Sequence, residues 1–134
     1  MANVLYDKAR EGFLGGDIDW DADDIRLILI DVADYTFSAA HEFLSSVAGA
    51  ARVAVSGAFT GKTKTSGVAD ANDVTLSAVT GDQSEALIIY KHTGSDATAR
   101  LIAYLDSVTG LPITPNGGDA TIQWDNGANK IFKL

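Results

Sequence analysis

The sequence predicts a mainly β protein, an antiparallel two-sheet sandwich with one short helix at its N-terminus. From Asp24 onward the chain consists of short apolar or alternating segments separated by clusters of Gly, Asn, Asp, Ser and Thr, the pattern of strands joined by turns. Several segments alternate with period two, as strands with one wet face do. Convincing helical periodicity is confined to the opening residues.

The helix is read within residues 1–16. Leu5, Ala9 and Phe13 recur every four residues, while Asp7, Lys8 and Glu11 fall elsewhere on the wheel. Gly15-Gly16 ends it, because glycine readily takes the left-handed conformation that closes helices. About ten residues of helix are marginal in isolation, so this one needs a surface to dock on. Residues 17–24 then form an acidic turn, with Asp17, Asp19, Asp21, Asp23 and Asp24 around Trp20.

Strands are expected at residues 25–31, 52–55, 74–79, 86–91, 100–106, 120–124 and 130–133, with a weaker one near 62–65 and a helical turn within 37–46. Val74, Leu76 and Ala78 oppose Thr75 and Ser77; Leu101, Ala103 and Leu105 oppose Ile102 and Tyr104; Ala120, Ile122 and Trp124 oppose Thr121 and Gln123. Each set implies one buried and one wet face. Residues 27–30 and 87–90 are apolar on both faces, which marks central or covered strands. Thr80-Gly81-Asp82, and Asn126-Gly127 between the last two strands, suggest antiparallel turns. No repeat or break in composition divides the chain, so residues 1–134 read as one domain.

Composition narrows the function. A chain of 134 residues buries roughly two-thirds of its unfolded surface, enough for one core. The net charge of -8 comes from eighteen acidic and ten basic side chains, the latter scattered along the sequence. Nucleic acid is therefore not an expected partner, because phosphate binding needs clustered Lys and Arg. Nor is a membrane: the acidic surface repels anionic lipid, and the longest apolar run, residues 27–30, is too short to span one. The opening residues lack the basic region and apolar stretch of a secretory signal. Without cysteine there is no disulfide framework, thiolate nucleophile or Cys-based zinc site.

Two motifs come close to known chemistry and fall short. Gly57 and Gly61 followed by Lys62-Thr63 approximate a phosphate-binding loop, but only three residues separate the glycines and no helix pattern comes after them. The alternating carboxylates from Asp17 approximate a calcium loop, but its sixth and twelfth positions hold Ala22 and Ile28 instead of Gly and Glu. His41 and His92 are the two histidines, and both read as surface residues without a nucleophile motif beside them. The expectation is a binding protein, not an enzyme, with no cofactor and no metal. Trp124 alternates in phase with Ile122 and reads as core, whereas Trp20, an aromatic amid charge, reads either as an interface anchor or as cover for a sandwich edge. The expected contact residues are Leu5, Tyr6, Ala9, Phe13 and Trp20, on a segment whose removal (residues 1–14) should leave a folded protein that binds poorly.

Several blocks together resemble a known group of proteins. These are the opening residues 5–11 with Phe13-Leu14, Asp19-Trp20 leading into Ile25-Arg26-Leu27, Ala86-Leu87-Ile88-Ile89-Tyr90-Lys91, Leu101-Ile102-Ala103-Tyr104, and residues 115–119 leading to Trp124-Asp125-Asn126-Gly127. Over essentially its full length the chain resembles small virion proteins of tailed phages, most nearly the capsid cement proteins of the Bordetella phage type. The resemblance implies a jelly-roll-like sandwich, made in the host cytoplasm, that sits as homodimers on the outside of the capsid and clamps neighbouring major capsid proteins. The alternative is a tail- or fibre-associated sandwich module that binds glycan or another phage protein.

Overall fold

The computed structural model describes residues 3–134. Its centre is a five-stranded antiparallel sheet in the order β1 (Val4–Leu5), β7 (Leu101–Leu105), β6 (Ala86–Lys91), β2 (Ile25–Ile30), β3 (Arg52–Val55). Two separate two-stranded antiparallel ribbons accompany it: β4 (Val68–Ala69) with β9 (Phe132–Lys133), and β5 (Val74–Leu76) with β8 (Ala120–Ile122). The fold is mainly β with one helix, α1 (Asp7–Gly15).

The two runs that are apolar on both faces form β2 and β6, which pair over six residues from Ile25↔Lys91 to Ile30↔Ala86. Their central position explains the composition: both faces are covered, so neither can carry a polar stripe. Ile25, Leu27, Ile28, Leu29, Ile30, Leu87, Ile88 and Ile89 are all fully buried. At ~1.5–3 kcal/mol for each large aliphatic side chain buried, this strand pair is the main source of stability.

Register sorts the sheet into two faces. Ile28, Ile88 and Tyr104 share one, and Leu29, Leu87 and Leu105 share the other. On the first, the rings of Tyr35 and Phe37 pack on Tyr104 at 6.1 and 5.3 Å, brought there by the irregular excursion between β2 and β3. On the second, Leu105 shares a cleft with Trp124 and Ile131, and Leu5 and Ala103 share one with Ile131 and Phe132.

Several sequence expectations are corrected. Leu5 is not on the helix: it belongs to β1, opposite Ala103, because extended Tyr6 donates its N–H to Ile102 and carries the chain along β7 before α1 begins. The residues α1 buries are Ala9 and Gly12, and Gly12 has a steric role, since a Cβ there would lie 2.8 Å from Ile18 Cδ1. β7 has no wet face, all five residues being buried. The alternation at 74–79 stops at Leu76, and Ala78 turns the chain with φ 50°. Thr63 makes a lone bridge to Asp70, and residues Thr65–Gly67 form a 3-10 turn. Asn126-Gly127 does not join paired strands, because β8 pairs with β5 and β9 with β4. The turn expected within 37–46 is a 3-10 turn at Leu44–Ser46.

Candidate functional site

An apolar groove of about 390 Å³ lies between the end of α1, the acidic turn and the β4–β9 ribbon. Phe13, Ile18, Trp20, Ala69, Phe132 and Leu134 supply its apolar lining, and Asp19 and Lys64 stand at it as charged residues. Local sequence sets each wall. Gly16, at φ 81°, closes α1, and Asp17 and Ile18 donate their N–H groups back to Gly12, turning Ile18 under the helix. Trp20 lies nearly perpendicular to Phe132, with centroids 5.4 Å apart, and donates its indole N–H to the Asp70 carbonyl at 3.3 Å. Leu134 is anchored by its N–H to Gly67 yet remains 57% exposed, while Leu14, on the last turn of α1, is 88% exposed.

The groove is one end of an aromatic series. Phe13 packs on Phe132, Phe132 on Trp20, Trp20 on Phe59 and Phe59 on Trp124, with centroids 5.4–6.2 Å apart. Tilted and edge-on pairs at these separations add stabilisation beyond area burial. Trp124 closes the series by donating its indole N–H to the Asn72 carbonyl at 2.9 Å.

The five expected contact residues divide accordingly. Phe13 and Trp20 meet in the groove. Leu5, Tyr6 and Ala9 lie in the chain's own core, and Trp20 itself is only 5% exposed. The marginal helix docks on this chain's own sheet, so its inner residues have little surface left for a partner. Sequence reasoning misses Ile18, Ala69, Phe132 and Leu134. The exposure of Leu14 and Leu134 has no signal in the sequence, where each has another apolar residue within two positions.

The acidic turn is satisfied internally. Asp19 Oδ1 accepts the N–H groups of Asp21 and Ala22, and Asp23 Oδ2 accepts from the Asp19 N–H and pairs with Lys91 at 3.2 Å. Asp17 pairs with Arg100, and Asp21 with Lys64. Arg26 grips Asp24 through two 2.9 Å hydrogen bonds, which hold that carboxyl below the usual range. Each carboxylate thus has a protein partner. Asp31, Asp34 and Asp82 form a separate group with ligand atoms within 4.8 Å of one another, a spacing that also occurs without any ion on acidic surfaces.

The glycine-lysine segment is not built to cradle phosphate. Ser56 and Phe59 donate their N–H groups to Leu27 and Ile25, Lys62 donates to the Asp23 carbonyl, and the chain continues into the 3-10 turn and β4 where a phosphate loop would start a helix. The histidines belong to tyrosine contacts: His41 Nδ1 lies 2.8 Å from the Tyr35 hydroxyl, and His92 Nδ1 lies 3.1 Å from that of Tyr90. Tyr35 in turn meets the buried Tyr6 hydroxyl at 2.8 Å. With Tyr6 donating to Tyr35 and Tyr35 to His41, both hydroxyl protons are satisfied.

Among the described residues no helix is long and apolar enough to cross a membrane. No family model matches the chain, and no curated protein matches it.

Proposed function

We propose that the chain is a structural virion protein, a decoration or cement protein that binds the outside of a tailed-phage head and holds neighbouring major capsid proteins together. The observation that carries this reading is the apolar groove with an exposed leucine in its wall. A concave, aromatic-floored surface that includes the half-exposed Leu134 suits insertion of an apolar side chain from a protein partner. The sequence resemblance to phage cement proteins supports the identity of that partner, together with a homodimeric state and a jelly-roll-like strand order. The strand β9, whose Phe132 shares a cleft with Leu5 and Ala103, supports a second layer of the kind a sandwich needs.

Cement action arises from interface area. Parting two capsid proteins bridged by such a chain also exposes its contacts, and repetition over a head lets modest individual affinities add through geometry. The tail- or fibre-module reading has weaker support, because Trp20 and Trp124, at 5% and 6% exposure, leave little ring face for stacking on sugar.

The test is co-sedimentation of the purified chain with phage heads lacking their decoration protein. Saturable binding is expected, weakened at least tenfold by Leu134→Asp with an unchanged circular dichroism spectrum. No binding to heads, or glycan binding in its place, overturns the proposal.

A further inference from the structure

The chain carries two Asn-Gly pairs, Asn116-Gly117 and Asn126-Gly127, both exposed but held in opposite ways. We infer that Asn126 is a site of spontaneous backbone modification, deamidation through a cyclic imide, and that the fold protects Asn116 from the same reaction. The only co-reactant is water.

The reaction needs the backbone nitrogen of the next residue to reach the asparagine side-chain carbonyl carbon. The Gly127 nitrogen attacks Asn126 Cγ, a C–N bond forms, the Cγ–Nδ2 bond breaks, and Nδ2 leaves as ammonia carrying the proton lost by Gly127. Water then opens the five-membered imide at either carbonyl. The products are aspartate and isoaspartate, the latter with one extra backbone methylene. No electron is transferred, and the balance is one water consumed and one ammonia released.

Glycine is the residue that least hinders this attack, since it has no side chain beside its nitrogen. The two sites then differ in whether nitrogen and amide are free. At the first pair they are not: Gly117 donates its N–H to the Val79 carbonyl at 2.8 Å, and Asn116 Oδ1 accepts the Gly118 N–H at 2.9 Å. Reaction there must first break both bonds. At the second pair, the Gly127 N–H and the Asn126 side chain make no hydrogen bond among those of the described residues.

None of the other asparagines has a glycine after it, and two of them are restrained as well. Asn3 is held by Ser107 and by the N–H groups of Asp106 and Ser107, and Asn72 donates to Thr60. Asn129 precedes Lys130, whose side chain crowds the nitrogen.

The site has structural weight. Residues 125–130 are the strap between Trp124 and Ile131, both buried, and the strap feeds Phe132 and Leu134 into the groove wall. The modification leaves the chain one unit more negative than -8, and isoaspartate lengthens the strap by a backbone atom.

The full-length chain, held for weeks in warm, mildly alkaline buffer, is digested and mapped by mass spectrometry. Conversion of amide to acid at Asn126, as two separable isomers, should run at least about tenfold faster than at Asn116, the factor that ~1.4 kcal/mol of hydrogen-bond protection gives. A parallel sample in concentrated urea should react at both sites at similar rates, and Gly127→Ala should slow Asn126 in both conditions. Equal rates in the folded chain, an unreactive Asn126, or a rate ratio that persists in urea overturns the inference.

Discussion

The two faces of the central sheet are covered by different chemistry. On the Tyr104 face, the excursion between β2 and β3 is tied down by hydroxyl groups, with Tyr6, Tyr35 and His41 in one hydrogen-bonded chain. On the Leu105 side, α1, the acidic turn, the loop at Phe59, β9 and Trp124 beyond β8 interlock through rings, the series from Phe13 to Trp124 being anchored by two indole N–H groups donating to backbone carbonyls. The first cover depends on hydrogen bonding, because each buried hydroxyl must keep its partner. The second depends on volume, because a missing ring leaves a void its neighbours only partly fill.

Among point substitutions, the comparison is broken most severely by Trp20→Ala. It should cost ~3–5 kcal/mol in urea unfolding, toward the low end because the groove lets water reach the void. Deleting residues 1–14 should be at least as damaging, since it removes buried Leu5, Tyr6 and Ala9. That replaces the sequence-based expectation of a folded truncation.

On the hydroxyl side the expected effects are smaller and asymmetric. Tyr35→Phe strands the buried Tyr6 proton and should cost ~1–3 kcal/mol, whereas Tyr6→Phe removes a donor whose loss leaves no buried proton unpaired and should cost ~1 kcal/mol. Equal costs would show that the hydroxyl chain runs in the other direction.

Alkali should sharpen the contrast further. Burial raises the phenols of Tyr6, Tyr35, Tyr90 and Tyr104 above the ordinary value, Tyr6 furthest, its hydrogen bond to Tyr35 adding to the rise. A raised folded pKa means stability is complete below about pH 10 and is lost as pH rises above it. Absorbance titration should therefore show buried tyrosines ionising together with unfolding, above the range of a free phenol. The smallest effect is at Leu14→Ala: at 88% exposure it should move stability by no more than ~0.5 kcal/mol, so any loss of head binding would report a contact.

Much of the sheet is legible in the sequence because its signal is local. Residues 27–30 and 87–90 read as central because a strand that is apolar on both faces needs cover on both, and the glycine end of α1 rests on the left-handed conformation at Gly16. The two-residue strands β1 and β4 are not legible as strands, being too short for any periodicity to register, whereas β9 falls inside the strand expected at 130–133. The phase of Trp124 with Ile122 signals its burial. For Trp20 the sequence leaves an interface anchor and an edge cover both open, and the structure decides for cover: its ring turns in toward Phe59 and Phe132 and is 5% exposed.

The candidate site is legible only in part. Phe13 and Trp20 stand seven residues apart, so one stretch of sequence suggests both. Phe132 and Leu134 come from the far end of the chain, and nothing in their own surroundings points to residue 20.

By itself, then, the sequence determined the β character, the central strands, the end of the helix and the failure of the phosphate and calcium motifs, because each rests on neighbours within a few residues. The tertiary structure alone decided that the helix spends its inner face on its own sheet, that β8 and β9 part to different partners, and that residues 13–18 and 132–134 meet around Trp20. Those are contacts between distant segments, chosen by which apolar surfaces can be covered together.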